Sequence, residues 1–118
     1  LTSDPTIAGG FLESFVACQL RPEVDRFRGS LHHLRDTAGK HEVDIVIELG
    51  GRVVAIEVKA TTRPTPAHAA HLEWLRAHLG ATVEATVVLH RGTATWELVP
   101  GVWAVPISTL WNGRSPRR

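Results

Sequence analysis

The chain is 118 residues long, 43% hydrophobic and 21% charged, with 13 Lys and Arg against 12 Asp and Glu for a net charge of +1. These values exclude a disordered or fibrous chain, and at this length folding buries roughly two-thirds of the unfolded surface, enough for a single core. The one cysteine excludes an internal disulfide, no apolar run nears the roughly 20 residues a bilayer span needs, and no signal peptide opens the chain; a cytoplasmic protein with a buried, reduced Cys18 is expected.

Asp4 before Pro5 reads as an N-cap followed by proline at the first helical position. The helix they open runs to about Leu20, with Phe11, Leu12, Phe15, Val16 and Leu20 on one face, weakened at Gly9 and Gly10 and closed by Arg21-Pro22. Leu31 to Arg35 is a short strand before the turn residues Asp36 to Gly39. Two strand-type runs follow, Glu42 to Leu49 and Arg52 to Ala60, separated only by Gly50-Gly51, the signature of a tight hairpin. Thr65-Pro66 opens a second helix, striped by Ala70, Leu72, Leu75 and Leu79 and stopped at Gly80. Thr82 to His90 returns to strand, and Trp96 to Leu98 and Val102 to Ile107 are short extended pieces near Pro100, Gly101 and Pro106. Residues 112–118, with Arg114, Arg117 and Arg118, read as a solvated tail. No repeat or linker divides the chain, so it is expected to be one domain.

The tight hairpin fixes cross-strand partners: Leu49 faces Arg52, Ile47 faces Val54 and Ile45 faces Ile56. By the same count Asp44 faces Glu57 and Glu42 faces Lys59. Alternation then sends Glu42, Asp44, Glu57 and Lys59 to one face, and Val43, Ile45, Ile47, Val54, Ile56 and Val58 to the other, so one face builds core and the other collects charge. Two carboxylates about 5 Å apart repel by roughly 3 kcal/mol at an effective dielectric near 20. A divalent cation, the neighbouring Lys59 or protonation of one acid each offsets that repulsion.

Glu57-Val58-Lys59 on a strand, Asp44 on its neighbour and Glu13 on the first helix resemble the PD-(D/E)XK nuclease superfamily. The runs Phe11 to Val16, Leu34 to Asp36, Glu42 to Glu48, Ala55 to Ala60 and Pro106 to Trp111 resemble one branch of it, the uncharacterised domain at the C-terminus of prokaryotic AAA-type ATP-binding proteins. The resemblance implies an α/β fold with a restriction-endonuclease-like core: a mixed sheet (helix, three-strand meander, helix, strand) flanked by helices. It also fits the absence of any methionine, as expected of a C-terminal piece of a longer protein. By the same resemblance Asp44 and Glu57 hold Mg²⁺ or Mn²⁺, with the Val58 carbonyl and Glu13 as further ligands. Lys59 orients the attacking water or stabilises charge on the phosphate, and a DNA phosphodiester is cleaved. The superfamily's proline is replaced here by Val43, and His68 and His71 stand where some relatives have glutamine. The same fold can serve as a nucleic-acid- or protein-binding module without catalysis.

No glycine-rich phosphate loop is present, so no ATP site is expected, and the AAA-type ATPase domain would be a partner in the same protein. Arg26, Arg28 and Arg35, together with Arg21, precede the hairpin and are candidates for a nucleic-acid groove or for plain surface. His68 and His71 read as exposed helix residues. His32 and His33 fall on opposite faces of a strand, one packed and one wet. Trp74, Trp96, Trp103 and Trp111 read as core or interdomain packing.

Overall fold

The computed structural model describes residues 5–112, with side chains over residues 10–110. The elements are α1 (Pro5–Arg26), β1 (Ser30–Arg35), β2 (Glu42–Leu49), β3 (Arg52–Val58), a 3₁₀ turn (Pro66–Ala69) leading into α2 (Ala70–Leu79), β4 (Val83–His90), β5 (Trp96–Val99), β6 (Val102–Pro106) and α3 (Thr109–Asn112). The sheet has six strands in the order β1-β2-β3-β4-β6-β5. β1 to β3 form an antiparallel meander, β4 joins β3 in parallel, β6 joins β4 in parallel, and β5 closes the far edge antiparallel to β6. The result is a mixed α/β fold. No helix among the described residues is long and apolar enough to cross a membrane.

Both faces of the sheet are core. Val16 and Val24 of α1 pack on Ile45, Ile47, Ile56, Val58, Leu89 and Ile107. On the opposite face Leu72 and Leu75 of α2 pack on Val46, Val53, Ala55, Val88, Val102 and Ala104. The expected division into an apolar face and a charged one is therefore corrected. The near-continuous apolar run from Val53 to Ile56 is the signature of a strand buried on both sides, as its parallel partner β4 requires. Val43 also changes sides, joining Val46 rather than Ile45. The β1–β2 pairing steps from His32↔Val46 to Leu34↔Val43, so Asp44 and Ile45 together oppose His33 in a β-bulge that resets the alternation.

Two helical expectations are also corrected. α1 continues through Pro22 instead of stopping before it. Proline removes one intrahelical hydrogen bond, but the turn beyond it carries Val24, only 4% exposed, into the core. The helix ends where Arg28 takes a left-handed conformation (φ 60°) and the Gly29 N–H donates to the Val24 carbonyl at 2.8 Å. Cys18 is exposed, because it points away from the side of α1 that buries Val16. The second helix begins as expected: the Thr65 N–H donates to His68 Nδ1 at 3.0 Å, and Gly80 at the C-cap has φ 59°. The Asp4 cap and the 112–118 tail reach beyond the described residues.

Candidate functional site

The hairpin register holds from Leu49↔Arg52 through Ile45↔Ile56, and there the ladder stops. Asp44 and Glu57 are not ladder partners. The Asp44 N–H donates to Glu57 Oε1 at 3.0 Å, and the Val58 N–H donates to Asp44 Oδ2 at 2.8 Å. Each carboxylate takes the place of a backbone carbonyl on the opposite strand, and the two strands fork with their amides still satisfied. A strand residue directs its N–H and carbonyl to the same side, so the Val58 carbonyl faces this fork.

Glu57 is 2% exposed. Burial, reinforced by the Asp44 charge, pushes its carboxyl up to about 8. Of the ways to relieve the acid pair, burial of Glu57 favours protonation. Lys59, half-buried, makes no ion pair among the described residues. Its charge nonetheless favours ionised Glu57 and, after burial, helps lower the His68 imidazole.

Glu13 reaches the fork from α1, and burial and the Asp44 charge raise its carboxyl above the ordinary range. His33, expected from the sequence to be a packed or wet strand residue outside the site, joins it. His33 Nδ1 lies 3.2 Å from the Asp44 carbonyl and 3.6 Å from Glu13 Oε2, and its Nε2 lies 3.0 Å from Glu42 Oε2. Both ring nitrogens face acceptors, an arrangement that only the doubly protonated imidazolium satisfies. Burial works against the charge, but the bonds to Glu42 and the Asp44 carbonyl, with Glu13 nearby, raise the imidazole above its usual range. Glu13, His33 and Asp44 offer donor atoms that all lie within 4.8 Å of one another. Glu57 stands outside that trio, linked to it through Asp44. Two carboxylates and an imidazole suit a divalent transition ion, and the neighbouring carbonyl and carboxylate suit Mg²⁺ or Mn²⁺. The donor set fits a metal.

Glu42 does not meet Lys59. It pairs instead with Arg35 on β1, Nη2 to Oε2 at 2.8 Å, and with His33, and these partners hold its carboxyl below the usual range. Arg26 is spent on Glu23 at 3.5 Å and lies over the Phe27 ring, while Arg28 is exposed beyond the end of α1.

The other histidines and tryptophans differ from expectation. His32 and His33 are both exposed, because β1 lies at the sheet edge and the bulge turns His33 toward the acids. His68 and His71 are half-buried, not exposed. His68 caps the 3₁₀ turn that leads into α2, and His71 meets the His41 ring edge-on at 5.5 Å, with His41 stacked on Trp74 at 4.4 Å. Trp74 and Trp96 pack on the core as expected, whereas Trp103 is 45% exposed. The Trp111 side chain is outside the described residues. His90, unremarked in the sequence, is wholly buried: its Nδ1 accepts from the Gly92 N–H and its Nε2–H donates to the Ala94 carbonyl, both at 2.9 Å. A histidine closing an apolar strand ahead of a glycine was the available signal.

A family model described as a domain of unknown function, DUF4143, matches residues 8–110. No curated protein matches the chain.

Proposed function

The chain belongs to the DUF4143 family, and we propose that it is a metal-dependent nuclease-like domain with a restriction-endonuclease-like core, hydrolysing phosphodiester bonds in DNA. The observation that carries this reading is the β2–β3 fork, where the Glu57 carboxylate accepts from the Asp44 N–H and the Asp44 carboxylate accepts from the Val58 N–H beside Lys59, with Glu13 brought in by α1. The antiparallel meander continued by a parallel strand, with helices on both faces, supports the same reading. So do the sequence runs resembling the C-terminal domain of AAA-type ATP-binding proteins, from which we infer an ATPase domain as partner in the same protein.

Asp44, Glu57, Glu13 and the Val58 carbonyl would hold Mg²⁺ or Mn²⁺, with His33 as a further donor. When bound, the ion supplies positive charge at the scissile phosphate and makes water a better nucleophile. Glu57 keeps its proton up to about pH 8 and must give it up to act as a ligand, so cation binding releases a proton and strengthens as pH rises toward 8. Lys59 has three N–H donors and makes no ion pair with a carboxylate among the described residues. It donates to a non-bridging phosphate oxygen or orients the water that attacks phosphorus as the bond to the leaving oxygen breaks. His33, once deprotonated, is free to turn from Glu42 to the ion.

One observation favours a second reading, a non-catalytic module that binds nucleic acid or protein. His33 stands among Glu13, Glu42 and the Asp44 carbonyl as an internal cation, and the site satisfies its hydrogen bonds without a metal. Calorimetry with Mg²⁺ and Mn²⁺, followed by incubation with supercoiled and single-stranded DNA, separates the two. The nuclease reading expects metal binding and cleavage, both lost in the Asp44→Asn, Glu57→Gln double variant. Wild-type protein that takes up neither ion, beside a more stable double variant, establishes the binding module instead.

A further inference from the structure

Past the carboxyl ends of β3 and β4 the chain opens a crevice of about 430 Å³ lined by Thr62, Arg63, Gly92, Thr93, Ala94 and Trp96. The parallel pairing extends beyond the strands, with the Lys59 N–H donating to the Leu89 carbonyl and the Arg91 N–H to the Thr61 carbonyl, each at 2.9 Å. The two loops therefore leave the sheet side by side. Crevices at the carboxyl ends of parallel strands are the customary binding places of α/β sheets, and this volume is in the range of small-molecule sites.

The floor of the crevice is fixed. A side chain at Gly92 would collide with the Thr62 carbonyl and come within 3.1 Å of His90 Nδ1. His90, by bonding Gly92 and Ala94, holds the second loop from beneath. Binding there pays little for loop ordering. The lining chemistry is equally specific: one guanidinium, two hydroxyls, the half-buried indole of Trp96, and no carboxylate. Arg63 is exposed and has no acidic partner among the described residues, unlike Arg26 and Arg35. An arginine fork suits phosphate, and an indole face suits a flat ring. Thr62 lies three residues beyond Lys59, at most about 10 Å along an extended chain, a distance of a few nucleotides on one strand.

We propose that this crevice is a nucleotide subsite for the strand being cut, in which Trp96 stacks one base and Arg63 pairs with a phosphate near the scissile one. The proposal rests on the nuclease reading for its substrate, and it moves the nucleic-acid path from Arg26, Arg28 and Arg35 to the loops after β3 and β4.

The test is fluorescence anisotropy with a short fluorescein-labelled single-stranded deoxyoligonucleotide, Ca²⁺ replacing Mg²⁺, with deoxythymidine monophosphate as competitor. Arg63→Ala weakens binding about tenfold and lowers the salt slope by about one. Trp96→Phe keeps the fold and a ring but abolishes the part of the tryptophan quenching that accompanies binding. The competitor displaces the oligonucleotide from wild type and not from an Arg63→Ala, Trp96→Phe double variant. Wild-type affinity in both variants overturns the subsite, as does a wild-type chain that binds no oligonucleotide. Cleavage assayed separately in Mg²⁺ isolates the parent reading: Arg63-dependent binding without cleavage keeps the subsite and removes hydrolysis, and cleavage with Arg63-independent binding does the reverse.

Discussion

The two ends of the β2–β3 hairpin are built on opposite principles. At the Gly50-Gly51 end every rung from Leu49↔Arg52 to Ile45↔Ile56 pairs backbone with backbone, and the apolar residues between are buried on both faces. At the other end, one residue past Ile45, side-chain carboxylates stand in for carbonyls, and a wholly enclosed acid keeps its proton to about pH 8. The first end minimises free energy locally. The second holds charge where a folded chain alone would avoid it, and the complete rungs beside it keep it from relaxing.

The sharpest way to break this contrast is pH. Glu57 titrates near 4.5 when unfolded and near 8 when folded. Below both values the folded and unfolded chains carry the proton alike. Between them only the folded chain does, so metal-free stability falls as pH rises and the loss is complete above about 8, at about 1.4 kcal/mol per pH unit and several kcal/mol in all. Denaturant melts from pH 5 to 9 will show this slope in wild type and not in Glu57→Gln; parallel slopes in the two proteins would refute the contrast.

Next in size is the last complete rung. Ile45 is 1% exposed, and Ile45→Ala should cost about 3 kcal/mol by chemical denaturation, at any pH and with little change in the pH slope. At the turn, Gly51 has φ 80° with open space around its missing Cβ, so Gly51→Ala costs only backbone strain, about 1 kcal/mol, and leaves cation affinity unchanged in calorimetry. The smallest effect belongs to Arg35→Ala. That ion pair with Glu42 is exposed and screened by solvent, so its loss shifts a thermal melt less than Gly51→Ala does.

The same contrast explains what could be read from sequence. A two-residue turn leaves one register, so the proximity of Asp44 and Glu57 was legible from spacing alone, although their departure from the ladder was not. His33 was hidden because the six residues between β1 and β2 impose no register, and the bulge that aims it follows from pairing rather than composition. Burial on both faces had a signal, Val46 interrupting the alternation of β2 and the unbroken run Val53 to Ile56, which alternation alone misassigns. The end of α1 was misplaced at Pro22 because local propensity yielded to the tertiary burial of Val24. Subsite residues Arg63, Gly92 and Trp96 come together only through parallel pairing of distant strands, which no local pattern encodes.

The sheet's two borders bear on self-association. β1, the outer strand on one side, is interrupted by its irregular pairing with β2 and bears His32, His33 and Arg35. β5, the outer strand on the other, is four residues long, shifts register between Glu97 and Val99, and runs straight into Pro100. Neither offers a long, straight row of unpaired amides on which a second molecule could add a strand. A chain whose strands are mostly apolar on both sides is thus guarded against fibrillar growth at the places where such growth would start.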